Sequence, residues 1–360
     1  MATYKKPVYC DFEFLKKLRS SNGRFSPFGS NEAMLLWFNT LKFLLKSKVQ
    51  LNIDTKTFQK QIRKRDGDTF FELWKRVANG ECEITFLEEH NAKFYEQRLT
   101  SAEGLLNAYL INEKKAVANH HGKKHGVVTI TPDCWQDNET AKGKSYLFKD
   151  NGWATQKGEY RTWGEMLRSN EYRLADCNSM IIIDNYILKN SIAIEKNLYP
   201  ILRELLPQEL DQKTEFHLTI ITENNPNKPQ DFNRIYTSIR KKIEEYFPKL
   251  KLQFDLYESS GKSEFHDRTI ITNNAIISCE GGFDLINSSG KISKNTKWSI
   301  LYQGIHSCDG ATDVSYCNIA AIASNVVRDI KAGKGGKSYP ENNKFCNKLF
   351  VISIKNDLKI

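Results

Sequence analysis

The second half of the chain alternates strand-length apolar runs with helical patterns, and this order constrains the fold more than any other feature. The predicted elements are a strand at 179–184, a helix at 198–206, a strand at 216–221, a helix at 231–247 and a strand at 250–257. Strands joined through helices predict parallel pairing with right-handed crossovers. Such sheets place binding sites at the carboxyl ends of strands, so Asp184 and Asn185, which end the first strand, are candidate substrate-binding residues.

The first 140 residues show a similar alternation. The predicted strands are 7–11, 49–53, 83–87 and 126–131, and the predicted helices are 31–45, 57–65 and 101–110. The polar and charged stretch 136–144 is the best linker candidate. We therefore predict an α/β protein of two domains, at residues 1–140 and 150–360, each a mostly parallel sheet flanked by helices.

Composition favours an anionic partner. The chain has 360 residues and carries 53 Lys and Arg against 43 Asp and Glu, a net charge of +10. Basic proteins favour polyanions because phosphate contacts release counterions, although a merely basic surface is the alternative. Its eight Cys form no Cys-x-x-Cys pair, which disfavours a zinc ribbon and indicates reduced thiols. No apolar stretch approaches the ~20 residues that span a bilayer, and no apolar signal region follows the first residues. We expect a cytoplasmic protein.

A lone histidine stands two residues before a cation in the segment 265–273. Residues two apart on a strand share a face, so His266 and Arg268 are predicted to point the same way. An imidazole beside a fixed cation is a sensible phosphate site, whereas the alternative is a structural histidine on a sheet. Farther on, Gly281 and Gly282 allow close backbone approach and are candidate substrate-binding residues.

This segment resembles the phospholipase D superfamily, whose signature is His-x-Lys, four residues, then Asp, with a Gly-Ser-x-Asn element beyond. His266 matches the His, Arg268 takes the Lys place, and Asn273 takes the Asp place. Gly281–Asp284 stands near the Gly-Ser place without its Ser or Asn. The pattern is more similar to the phospholipase D-like C-terminal domain of MIT-domain proteins and bacterial relatives, a branch that is often non-catalytic.

The resemblance implies His266, Arg268 and Asn273 as catalytic residues, with no metal or other cofactor. The family's histidine attacks phosphorus, and a second histidine protonates the leaving oxygen. This chain has one such motif, so two copies are expected to meet in a homodimer. Asn273 in place of an aspartate removes the carboxylate that orients the histidine, which weakens the prediction of catalysis.

The order of elements in the first 140 residues is similar to that of PIN domains, nucleases that gather carboxylates around divalent metal. Asp11, Glu103 and Glu113 stand where that family has acids, and the resemblance implies them as ligands of Mg²⁺ or Mn²⁺. A further acid of the family falls where this chain has Gln59 and Gln61, which suggests a weakened site.

Three other patterns give less information about function. The stretch 120–125, rich in His and Lys, is interpreted as a phosphate-facing or solvated loop because metal sites disfavour neighbouring cations. Gly333–Ser338 imitates a phosphate-binding loop, but Lys331 occupies the first glycine position and a Tyr-Pro pair follows where a helix must begin. The aromatic and basic stretch 148–175 is either a packed connector or a surface for unstacked bases.

Together these patterns predict a nucleic-acid-directed phosphodiesterase, that is a nuclease or nuclease-derived effector. Analogy with the two families suggests a bacterial antiviral defence or toxin system. The alternative is a non-catalytic phospholipase D-like module that binds nucleic acid, acidic lipid or a protein partner. The sequence leaves open whether the nucleic acid is DNA or RNA.

Overall fold

The structure is a computed structural model that describes the chain in ranges. These are residues 7–21, 44–45, 47–63, 68–89, 91, 94–100, 108–132, 145–146, 154–167, 177–223, 230–260, 268–302, 311–341, 343–344 and 346–350. They fall into two compact units, one ending before Ser145 and the other beginning there. Both are α/β, as predicted. The predicted linker, most of the predicted helix at 31–45, Glu103 and His266 lie outside the described residues.

The first unit is a five-stranded parallel sheet with helices. Its strands are β1 (Pro7–Asp11), β2 (Lys48–Asn52), β3 (Glu83–Phe86), β4 (Ala108–Leu110) and β5 (Val128–Ile130). Its helices are α1 (Phe12–Ser21), α2 (Thr55–Ile62), α3 (Asp68–Ala78), α4 (Phe94–Thr100) and α5 (Lys115–His125). The strand order is β3-β2-β1-β4-β5, with each of these pairs parallel. Parallel pairing sets the end of β1 beside the end of β2, so Asp11 lies next to Asn52.

Two local predictions in this unit are wrong. Residues 120–125 are the last part of α5 and not a loop, because the helix continues until Gly126 ends it in a left-handed conformation with φ 61°. Ala108–Leu110 form β4 and not the end of the predicted helix at 101–110. All three are buried between β1 and β5, so pairing within the sheet overrides their helical propensity.

The second unit is built on an eight-stranded sheet. Its strands are β6 (Ser145–Tyr146), β7 (Ser179–Ile183), β8 (Glu215–Glu223), β9 (Lys251–Ser259), β10 (Arg268–Thr272), β11 (Ala275–Cys279), β12 (Trp298–Tyr302) and β13 (Gly336–Tyr339). Its helices are α6 (Trp163–Leu167), α7 (Ser191–Ala193), a π-helical stretch (Ile194–Leu198), α8 (Tyr199–Leu205), α9 (Phe232–Tyr246) and α10 (Ala311–Lys331). The strand order is β13-β9-β8-β7-β10-β11-β12-β6.

This second sheet is mixed, which departs from the prediction of a mostly parallel one. β7, β8 and β9 pair in parallel, as their helical connections require, and the flanking pairs are antiparallel. The turn at Asn273 and Asn274 joins β10 to β11, and a connection this short permits only a hairpin. Because β10 runs against β7, its first residue, Arg268, lies at the carboxyl end of β7, where Thr269 pairs with Ile183.

The second sheet buries a large apolar core on one face. Alternate residues of the strands, among them Ile182, Ile220 and Leu256, pack with helices α8 and α9. Helix α10 packs against β9 and β13. Within the described ranges, none of the helices is both long and apolar enough to cross a membrane.

Candidate functional site

A buried carboxylate organises the carboxyl end of β7. Asp184 follows that strand and is almost completely buried. Its Oδ1 accepts hydrogen bonds from the backbone N–H of Tyr186 (2.6 Å) and Ile187 (3.0 Å), and its Oδ2 accepts one from Phe283 (2.6 Å). Burial raises the pKa of Asp184, the nearby Asp284 carboxylate adds to the rise, and the three N–H donors oppose it. Asp184 therefore ties the loop after β7 to the loop after β11.

The two glycines after β11 come close to neighbouring side chains, as the sequence predicts. Gly282 has φ +84°, and a Cβ there would lie 3.2 Å from Asp184 Oδ2 and 3.3 Å from Asp284 Oδ1. A Cβ on Gly281 would lie 2.6 Å from Thr296 Oγ1, closer than any real contact allows. Only glycine fits these positions without displacing its neighbours.

Two lysines pair with the carboxylate of Asp284, and an arginine lies beside the same loop. Lys189 and Lys294 both form ion pairs with it, the second at 2.5 Å between Nζ and Oδ1. The Asp284 side chain is 5% exposed, whereas those of Lys189 and Lys294 are 45% and 34% exposed. The stem of Arg268 borders the same loop, since a Cβ on Gly282 would lie 3.6 Å from its Cγ. We call Lys189, Arg268 and Lys294 the basic cluster; with Asp184 and Asp284 as its nearby carboxylates, it keeps a positive balance.

Arg268 is held in a defined position. Its Nη1 donates to the backbone oxygen of Glu280 at 3.2 Å, and its guanidinium carbon lies 5.2 Å from the centre of the Tyr186 ring. Lys189 Nζ lies 6.0 Å from the same ring. A planar guanidinium fixed by a carbonyl and an aromatic face is suited to bind phosphate oxygens.

The structure brings only part of the predicted set together. Asp184, Gly281, Gly282 and Arg268 converge. The Asn185 side chain instead donates to Glu223 Oε2 at 2.9 Å.

Asn273 lies after the other end of β10, roughly 16 Å from Arg268 at the usual rise of a strand. It is buried, and its Oδ1 accepts from the backbone N–H of Asn178 at 3.1 Å. The structure therefore places Asn273 where it anchors the chain before β7 and not within the basic cluster.

Sequence reasoning missed four members of this site: Lys189, Lys294, Asp284 and Tyr186. They come from two loops about 100 residues apart in the sequence, one after β7 and one after β11. The one available signal was the carboxylate two residues after Gly282, which a lysine-rich neighbourhood could be expected to neutralise.

A second polar cluster lies at the carboxyl end of β1 in the first unit. Asp11 is buried there, and its Oδ1 accepts from Tyr9 Oη (2.6 Å) and Asn52 Nδ2 (2.9 Å). Its Oδ2 accepts from the backbone N–H of Asn112 at 2.9 Å. Burial raises the pKa of Asp11, the charge of Glu113 adds to the rise, and these hydrogen bonds oppose it.

Glu113 belongs to the same cluster and is linked through Tyr95 to a histidine. Tyr95 Oη lies 3.1 Å from Glu113 Oε1, and the Tyr95 ring meets the ring of His121 edge-on at 5.4 Å. Burial lowers the pKa of His121, and the neighbouring His120 lowers it further. His121 reaches this position because residues 120–125 are helical, which the loop interpretation excluded.

The residues of this cluster suit a hard divalent cation in part. Asn52 Oδ1 and Asn112 Oδ1 are buried and have no hydrogen-bond partner among the described residues. Amide and carboxylate oxygens are the ligands that Mg²⁺ and Mn²⁺ prefer, so these oxygens with Asp11 and Glu113 form a suitable donor set. In the parts of the chain that the structure describes, no three His, Cys, Asp or Glu side chains are grouped to hold a metal. Whether Glu103 joins Asp11 and Glu113 stays a prediction.

Comparison of the chain with protein-family models and with curated protein sequences finds no match. The chemistry of these two clusters is therefore the basis on which a function can be proposed.

Proposed function

We propose that the chain binds the phosphodiester backbone of nucleic acid at the basic cluster and acts on it as a nuclease or nuclease-derived effector. The observation that carries this proposal is the pairing of Lys189 and Lys294 with the buried Asp284, with Arg268 beside the same loop. The two lysines are partly exposed, so their remaining N–H donors can meet a phosphate, and Arg268 adds a planar donor. The net charge of +10 favours the same partner.

In the catalytic form of this proposal, His266 is the nucleophile. Its imidazole nitrogen bonds to phosphorus while the phosphorus–oxygen bond to the leaving group breaks, and a histidine from a second copy of the chain protonates the leaving oxygen. Water then attacks the phospho-histidine and restores the imidazole. Arg268 and the two lysines hold the phosphate and stabilise the charge that develops on its oxygens. The proposal thus includes a homodimer, a cytoplasmic setting and no metal at this site.

A non-catalytic binding module is the second candidate. The position of Asn273 favours it, because a buried amide that bonds the Asn178 backbone cannot orient a histidine near Arg268. The basic cluster would then recognise phosphate without cleaving it. A bound Mg²⁺ or Mn²⁺ at the Asp11 cluster is a third source of cleavage, and there the metal would supply an activated water.

The test is cleavage of end-labelled single-stranded and duplex DNA and RNA, with and without chelator. Cleavage by the phosphodiesterase site should survive chelation and disappear in His266→Ala. Cleavage that stops with chelator, persists in His266→Ala and disappears in Asp11→Asn belongs to the first unit.

Binding separates the remaining cases. Arg268→Ala should weaken binding more than Arg240→Ala, which removes the same charge from the exposed Arg240–Glu244 pair on α9. Binding without cleavage, with this difference between the two variants, identifies a recognition module. Equal effects of the two variants, or binding that does not weaken as salt rises, would refute phosphate recognition at the basic cluster.

A further inference from the structure

We infer that the basic cluster is part of a surface for single-stranded nucleic acid, in which unpaired bases stack on Tyr186 and Tyr160. This inference rests on the proposed function and names the form of nucleic acid that the site takes. It starts from two exposed aromatic rings, each beside a lysine or arginine.

Tyr186 is presented to solvent by a rigid backbone. Its own N–H is held by Asp184 Oδ1 at 2.6 Å, and the following N–H of Ile187 bonds the same oxygen. The residue nevertheless remains 43% exposed, with Arg268 and Lys189 beside the ring. In such an arrangement the aromatic ring can stack on a base, and the cations beside it can bind the phosphate of the same nucleotide.

Tyr160 forms a second platform of the same kind. It is 71% exposed, and Lys291 Nζ lies 4.9 Å from the centre of its ring. Tyr160 and Lys291 pair across an isolated β-bridge, and Ile292 N–H donates to the oxygen of Glu159 at 2.8 Å. The backbone that carries this ring is therefore anchored.

The two platforms are joined by a short, anchored segment. Lys291 is three residues from Lys294, which pairs with Asp284 in the basic cluster. In this segment Ile292 pairs with Ile286 across an isolated β-bridge. Asn197 ties Ile286 to the core, because its Oδ1 accepts from Ile286 N–H at 2.7 Å and its Nδ2 donates to the Ile286 oxygen at 3.0 Å. Aromatic rings and phosphate-binding cations thus alternate along one piece of structure.

This alternation favours single strands over duplex. In a duplex the faces of the bases are stacked on one another, so exposed tyrosines gain nothing from them. In a single strand every base has a free face, and stacking on an aromatic side chain is tolerant of sequence. Lysines and arginine then bind the phosphates, which gives the strong dependence on salt expected of such surfaces.

The experiment measures fluorescence anisotropy with three labelled ligands of equal length: a thymidine strand, an abasic strand with the same backbone, and a duplex. The wild-type chain should bind the thymidine strand more tightly than the other two. Tyr186→Ala should lower affinity for the thymidine strand roughly 5-fold or more. Because the ring also holds Arg268, affinity for the abasic strand should fall as well, but by a smaller factor. Circular dichroism checks that the variant is folded. Tyr186→Phe keeps the ring and should bind as the wild type does.

The chain provides a matched control for an exposed tyrosine. Tyr246 at the end of α9 is 42% exposed, and Lys242 Nζ lies 4.9 Å from its ring, yet it stands on another element. Tyr246→Ala should change none of the affinities, whereas Tyr160→Ala should weaken thymidine binding.

The outcomes separate the inference from the proposed function. Equal binding of the thymidine and abasic strands, unaffected by Tyr186→Ala, overturns base stacking but leaves phosphate recognition standing. Preference for the duplex also overturns it. Binding of none of the three ligands overturns both proposals, as does tighter binding to vesicles of acidic lipid than to any strand.

Discussion

Asp255 and His217 lie on one face of neighbouring strands, and their responses to acid are expected to oppose each other. Thr219, which shares that face with His217, donates to Asp255 Oδ1 at 2.6 Å. Burial raises the pKa of Asp255 to about 6, although Thr219 and the charge of Lys331 oppose the rise. Burial lowers the pKa of His217 to about 4, the Lys348 cation lowers it further, and Glu215 opposes this.

These two shifts have opposite signs in nearly the same pH range. His217 stays neutral in the fold, so below its ordinary pKa of 6.5 the unfolded chain takes up a proton first and stability is lost towards pH 4. Asp255 takes up a proton in the fold before the unfolded chain does, so its contribution is full below pH 3.8 and is lost as pH rises through 6. On going from pH 7 to about pH 4.5, protonation linked to His217 should lower the free energy of unfolding by about 2.5 kcal/mol. Protonation of Asp255 should raise it by about 2 kcal/mol.

Single replacements should expose each contribution. Asp255→Asn keeps an oxygen for Thr219. On going from pH 7 to pH 4.5, its free energy of unfolding should fall by about 2 kcal/mol more than that of the wild type. His217→Asn keeps an acceptor for the Lys348 backbone N–H, which now bonds His217 Nδ1 at 3.2 Å, and should lose about 2.5 kcal/mol less.

The assay is urea denaturation of the full chain at both pH values, read by hydrogen exchange of peptides from β8 and β9. Exchange in these peptides reports unfolding of the second unit and not of the first. If Asp255→Asn and the wild type lose the same free energy of unfolding, Asp255 is ionised as readily in the fold as in the unfolded chain. The burial argument would then be wrong.

Three further outcomes are expected. Asn347→Ala should cost about 3 kcal/mol of unfolding free energy by urea titration, because this completely buried amide bonds strand backbone and hydroxyl groups that would lose their partners. Gly281→Ala should lower the melting temperature because its methyl group meets Thr296, whereas Gly164→Ala, which meets only the end of a flexible side chain at 3.4 Å, should not. Asp284→Asn should free two lysines for phosphate and steepen the salt dependence of strand binding by about 0.7 per added contact; an unchanged slope would show that the aspartate does not compete with the ligand.

Local patterns in the sequence were sufficient to predict the parallel part of the second sheet. The apolar run at 179–184 and the alternation at 250–257 correspond to β7 and β9, and the amphipathic pattern at 231–247 corresponds to α9. Periodicity gives the type of an element but not the direction of a strand. The direction of β10 follows from the turn at Asn273 and Asn274, a signal present in the sequence and not used for that purpose.

The candidate site was predictable only where one segment contributes more than one residue. Gly281 and Gly282 converge with Arg268 because β10 and β11 form a hairpin. Lys189 and Lys294 reach Asp284 from separate loops, and neither shows a spacing that distinguishes it from other surface lysines. Side chains assembled from distant loops depend on tertiary packing, which a single sequence does not specify.

Acids at strand ends play the same physical role in both units. Asp11 and Asp184 are buried, and each accepts three hydrogen bonds. Those from Asn52, Asn112 and Phe283 come from distant segments of the chain. A carboxylate whose oxygens already accept hydrogen bonds is better suited to position the surrounding loops than to transfer a proton. Its place at a strand end therefore indicates where a site lies but does not identify the reaction. The chemistry must then come from the groups it holds in position. In the second unit these are cations and an exposed ring, suited to phosphate and base. In the first they are amide oxygens without partners among the described residues, suited to a metal ion.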